Sequence, residues 1–103
     1  MAAVTLDQVE AKMRTRLPQF RALNAVARFD FGQDELLRLD ATRSPATLSR
    51  DDGDAACTIR MGLENFDRML DGDLNPTLAF ATGKLNVQGS MGLALKLASL
   101  LEK

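Results

Sequence analysis

The sequence predicts an α+β domain: a mostly antiparallel sheet covered by helices. Three observations carry this. Runs with two-residue alternation cluster between Ala25 and Met61, and helical segments dominate the chain from Leu63 onward. The alternating runs are apolar on one side and charged on the other, as in a sheet with one wet face. The last segment, Met91 to Leu101, is apolar around most of a helical wheel, far more than the stripe of roughly 100° that a surface helix needs.

From the N-terminus, Thr5-Leu6-Asp7-Gln8 has the form of a capping box, with Val4 and Val9 placed for a hydrophobic staple. Leu6, Val9, Met13 and Leu17 then share a helical face, and Pro18 ends the helix. The opposite face, Glu10, Lys12, Arg14 and Arg16, reads as a solvated surface. Ala25, Ala27, Phe29 and Phe31 alternate with polar residues, Gly32-Gln33-Asp34 turns, and Leu37 and Leu39 alternate again. The pair predicts an antiparallel hairpin whose wet face carries Arg28, Asp30, Arg38 and Asp40. Ser44-Pro45 breaks the chain before a short strand at Thr47–Arg50.

Asp51-Asp52-Gly53-Asp54 reads as a tight turn, because Asp and Gly tolerate positive φ. Ala55, Cys57, Ile59 and Met61 point inward on the next strand, against Thr58 and Arg60. Leu63, Phe66, Met69 and Leu70 form a short amphipathic helix that Gly72 ends. Asn75 caps and Pro76 opens another helix, with Gly83 in the left-handed position after it. In Lys84–Gln88, Leu85 and Val87 share one strand face; a strand placed after helices points to a parallel pairing. Ser90 caps the last helix, whose polar stripe is Gly92, Lys96, Ser99 and Lys103.

At 103 residues the chain is expected to be one domain, 1–103, with a thin core. A net charge of −1 and the absence of Trp and Tyr argue against nucleic acid as a partner. The start, Met1-Ala2-Ala3-Val4, has no secretory pattern, and Cys57 has no partner for a disulfide, so an intracellular protein is expected.

Catalytic chemistry finds little support. With no histidine, the usual general base, the commonest metal ligand and the Ser-His or Cys-His pairs are gone. Cys57, inward on a strand, reads as a small core hydrophobe. The aspartates around Gly53 lack the twelve-residue loop of a calcium site. No catalytic residue, metal or cofactor is expected. Lys84 and Lys96 read as surface lysines that could also meet a carboxylate or phosphate head group.

The remaining candidates are apolar: Phe66, Met69, Leu70, Leu78, Phe80, Leu85, Val87, Met91, Leu95 and Leu97. On periodicity alone they fit a core best, with a lipid pocket, an oligomer face and a membrane-contact face as alternatives. Methionine and leucine suit a pocket of adaptable shape.

The second half also carries a joint pattern. Ala56-Cys57-Thr58-Ile59-Arg60-Met61 is followed by Phe66, then by Asp71-Gly72-Asp73-Leu74-Asn75-Pro76 and Ala79-Phe80. Gly83-Lys84-Leu85-Asn86-Val87-Gln88-Gly89 and Met91-Gly92-Leu93-Ala94-Leu95-Lys96-Leu97 complete it. These segments, from Ala55 onward, resemble the sterol carrier protein 2 domain family. The resemblance implies a five-stranded sheet covered by helices, with an apolar tunnel between the two layers. It implies non-covalent, non-catalytic carriage of sterols, fatty acids, acyl-CoAs or phospholipids. Isoprenoid lipid is a further expected ligand, and a monomer in transient contact with membranes is expected. The resemblance moves the ten apolar candidates from core to tunnel lining, and sets Phe29, Leu37 and Leu48 on the tunnel's other wall. Several eukaryotic members carry a peroxisomal address; Leu101-Glu102-Lys103 is not one, so the cytoplasm is expected. The alternative is an interaction or dimerisation module that docks through the apolar last helix and holds no lipid.

Overall fold

The computed structural model describes residues 4–101; Lys103, placed in the polar stripe of the last helix, lies outside them. Two layers result. Five strands, β1 (Val26–Gly32), β2 (Glu35–Asp40), β3 (Thr47–Ser49), β4 (Cys57–Arg60) and β5 (Asn86–Gly89), form one sheet in the order β3-β2-β1-β4-β5. Four helices, α1 (Leu6–Thr15), α2 (Leu63–Leu70), α3 (Pro76–Ala81) and α4 (Met91–Leu101), cover its apolar face.

The local signals behave as their chemistry dictates. Thr5 and Gln8 complete the capping box at 3.1 and 3.2 Å. Asn75 Oδ1 accepts the Leu78 N–H at 3.0 Å, and Ser90 Oγ accepts that of Leu93 at 3.3 Å. Gly32, Gln33 and Asp34 all adopt positive φ and close the β1–β2 hairpin. Ala27, Phe29, Phe31, Leu37, Leu39 and Leu48 point inward and are buried.

Four sequence expectations are corrected. The strand after the helices, β5, runs antiparallel to β4; the parallel pair is β1–β4. The cause lies in the connection before β4. Asp51–Asp54 is not a tight turn but an extended crossover from one edge of the sheet to the far side of β1. It runs over the wet face, where Arg28 reaches Asp52 (2.9 Å) and Arg38 donates to the Asp54 carbonyl (3.0 Å). A chain carried over two strands in this way enters β4 in the direction of β1.

The first helix ends at Thr15, and Pro18 opens a 3₁₀ helix, Leu17–Leu23, that buries Phe20 and Leu23. Pro at the start of a turn loses no hydrogen bond, so the chain continues rather than breaks. Finally, the charged face of α1 is not merely solvated. Lys12 bridges Asp67 and Asp71 of α2 at 2.7 and 2.9 Å, and Arg14 donates to the Leu48 carbonyl at 3.2 Å. Arg50 pairs with Asp7 and Glu10.

Candidate functional site

The ten apolar candidates divide into two sets. Phe66, Met69, Leu70, Leu85 and Leu97 are buried between sheet and helices, and Val87 is half-buried against them. The Phe66 ring lies 5.1 Å from Phe29 and 5.2 Å from Phe31, both at tilted angles. The layer the resemblance assigns to a tunnel is therefore filled here by side chains. Phe29, Leu37 and Leu48, assigned to the other wall, belong to the same packed interior.

The second set faces outward. Leu78, Phe80, Met91 and Leu95 are 58, 42, 46 and 59 % exposed. The buried stripe of α4 is Ala94, Leu97 and Leu101, at spacings of three and four. Met91 and Leu95, one turn apart, lie off that stripe and so carry the excess apolar surface read from the sequence. In α3, Pro76 and Ala79 face inward, which turns Leu78 and Phe80 out on either flank.

Concave space opens at the ends of the packed layer. The larger cleft, about 780 Å³, lies where the end of α2, the Asp71–Asn75 loop, α3 and the end of α4 meet. Met69, Leu74, Leu78 and Leu101 give it apolar walls; Arg16, Asp71 and Asp73 stand on its rim. Arg16 donates to the Leu101 carbonyl at 3.3 Å, which ties the end of α4 to the end of α1. Only Met69 and Leu78 were candidates from sequence. Leu101 was legible as the last residue of the three-four stripe; Leu74, in a loop, carried no periodic signal.

A smaller cleft, about 330 Å³, lies at one end of the sheet, bounded by Asp30, Phe31, Gly32, Arg60, Met61, Lys84 and Asn86. The Gly32 N–H, at 2.9 Å, and then Arg60, at 3.2 Å, hold the Asp30 carboxyl below its ordinary pKa. Lys84 stands exposed on this cleft, and Lys96 is exposed on α4. Cys57 is buried in the core, and burial pushes its thiol pKa up, away from the reactive thiolate. Among the described residues no group of His, Cys, Asp and Glu could hold a metal ion. No helix among them is long and apolar enough to cross a membrane.

The arrangement is a packed layer with an apolar-walled, polar-rimmed cleft at one end and a smaller charged cleft at the end of the sheet. The profile of the SCP-2 sterol transfer family matches residues 6–102. The chain is similar to "Sterol carrier protein 2" of Homo sapiens, 44% identical over 55 residues, which is 53% of this chain and 10% of that relative. Its fold is similar to "Sterol Carrier Protein 2 from Yarrowia Lipolytica (apo form)", with a TM-score of 0.70 and 20% identity over 94% of this chain and 86% of that one. It is also similar to the solution structure of sterol carrier protein-2 from Aedes aegypti in complex with palmitate. The TM-score there is 0.69 and the identity 23%, over 97% of this chain and 96% of that one.

Proposed function

The chain belongs to the SCP-2 sterol transfer family, and from that premise we propose that it is a non-catalytic carrier of an apolar lipid. The ligand is a fatty acid, acyl-CoA, sterol or isoprenoid lipid, held between the sheet and α2–α4. The observation that carries this reading is the cleft of about 780 Å³ at the end of the packed layer. Its volume falls in the range of about 300–1,000 Å³ usual for small-molecule sites, and its apolar wall with a polar rim suits an amphiphile. The Aedes aegypti neighbour was determined with a C16 fatty acid, which supports the acyl class among the four.

The driving force is burial, about 0.8 kcal/mol for each CH₂ removed from water. In the closed state Phe66, Met69 and Leu97 fill the interior. Loading then requires α3 and α4 to move off the sheet and these side chains to repack around the acyl chain. Met61, Met69 and Leu97 can do so because unbranched or flexible side chains accept irregular shapes. The carrier works as a monomer in the cytoplasm, and meets membranes transiently when it exchanges cargo. The exposed Leu78, Phe80, Met91 and Leu95 favour one other reading, a module that docks these helices on a partner or a second copy.

Titration of the delipidated protein with a pyrene-labelled fatty acid separates the two. Saturable one-to-one binding by a protein that stays monomeric at all concentrations is the expected result. A protein that dimerises with concentration and takes up no fatty acid, acyl-CoA, sterol or prenyl lipid overturns the carrier reading.

A further inference from the structure

The two clefts differ in charge, and the difference assigns them different parts of a ligand. On the larger one, Arg16 stands with Asp73 and with Asp71, whose carboxylate Lys12 already holds at 2.9 Å, so its rim is balanced in charge. On the smaller one, two cations, Arg60 and Lys84, face one acid, Asp30. The acid is already engaged: its carboxylate accepts the Gly32 N–H at 2.9 Å and the Arg60 Nε–H at 3.2 Å. That contact fixes the guanidinium through one nitrogen. The two terminal nitrogens of Arg60 and the Nζ of Lys84 make no hydrogen bond among the described residues. The floor beneath these donors is apolar: Phe31 and Met61 are 9 and 7 % exposed. Phe31 leads inward, its ring 5.2 Å from that of Phe66.

Cations above an apolar floor that packs against the core suit the head of a single-chain anion, whose tail would enter as Phe31 and Met61 give way. From Leu74 to Leu101 the only charged residues are Lys84 and Lys96, so no carboxylate of that segment opposes the head. We propose that the cleft between Lys84 and Arg60 holds the ionised carboxylate of a fatty acid, whose alkyl chain passes over Phe31 and Met61 toward Phe66. The site rests on the carrier reading and adds to it the polarity of the ligand: head at the end of the sheet, tail toward the α2–α4 side.

The test compares two ligands of one tail, decanoate and decanol, by isothermal titration calorimetry at pH 7.5. It uses the delipidated full chain and its variants Lys84→Gln and Arg60→Gln. Lys84 has no partner among the described residues to lose, and a thermal melt checks that Arg60→Gln folds. The expected result is that the native protein prefers decanoate over decanol about tenfold. Each variant lowers decanoate affinity by several-fold, up to about tenfold, and leaves decanol unchanged. Equal affinity for the two ligands, or variants that weaken both alike, overturns the head-group site and leaves the carrier standing. No binding of either ligand overturns this site; the carrier reading falls with it only if acyl-CoA, sterol and prenyl lipid are refused as well. Acetate, a head without a tail, is expected not to compete; competition at the concentration of decanoate would make this a free-anion site and overturn the assignment.

Discussion

Phe66→Ala is the perturbation that most directly weighs the packed layer. The ring is 0 % exposed and sits 5.1 Å from Phe29 and 5.2 Å from Phe31. Truncating a buried Phe to Ala costs about 3–5 kcal/mol in transfer and cavity terms. Tilted aromatic pairs contribute about 0.5–1.5 kcal/mol each beyond area, and this ring makes two of them. The loss is therefore expected no lower than the middle of that range, about 4 kcal/mol. A domain of 103 residues has a total stability of roughly 5–15 kcal/mol, so the variant is marginal but measurable. With a urea slope of about 1.5 kcal/mol per molar, the midpoint falls by roughly 2–3 M. Circular dichroism is the assay, since the chain has no Trp or Tyr to report by fluorescence. A loss under about 1.5 kcal/mol at unchanged slope would refute the reasoning. Phe66 would then stand in a cavity that is already loosely filled without ligand.

The remaining predictions test the sheet and its charges. At Gly89, φ is +92° and an added Cβ would sit 2.6 Å from the Ala56 carbonyl oxygen; at Gly72, φ is +83° and nothing lies within 4 Å. Both Ala variants carry the left-handed strain of about 1–2 kcal/mol, so urea melts are expected to show Gly89→Ala losing at least about 1 kcal/mol more than Gly72→Ala. Equal losses would mean that β5 does not pack this closely on β4. Glu10, held down first by Arg14, Asp30, first by the Gly32 N–H, and Asp40, first by the Thr42 hydroxyl, all have pKa values below their ordinary ones. Such groups stabilise the fold above the unfolded carboxylate pKa, about 4, and lose that contribution as pH falls through their own lower values. Melting temperature is expected to hold from about pH 8 to 5 and to drop below about 4, less steeply in Asp30→Asn. An unchanged slope in that variant would contradict the assignment of Asp30.

How much the sequence made legible tracks the range of the interactions involved. Caps at Thr5, Asn75 and Ser90, positive φ at Gly72 and Gly83 and the inward Phe29, Leu39 and Ile59 depend on neighbours a few positions away, and these are in place; Thr58, expected outward, is instead buried. The β1–β4 parallel pairing and the Asp51–Asp54 crossover depend on where a segment goes, and the local chemistry of Asp and Gly says only that it bends. The charged face of α1 shows the same limit: Lys12 looks solvated until α2 brings Asp67 and Asp71 to it, more than fifty positions away in sequence.

The site divided for a related reason. Helical spacing marks Leu78, Phe80, Met91 and Leu95 as apolar, but not which of them the sheet covers. In α4 the excess over one buried stripe is what remains outside. Arg60 was read only as the outer residue of a strand. It becomes a candidate because β4 ends beside the start of β5, a relation set by the sheet.

The central claim, that this chain carries a lipid, is tested most directly by native mass spectrometry of protein purified without detergent, followed by organic extraction. The expected result is a monomer carrying one lipid or, once stripped, a monomer that takes up one equivalent of added fatty acid. An empty chain that ignores fatty acid, acyl-CoA, sterol and prenyl lipid alike would contradict it.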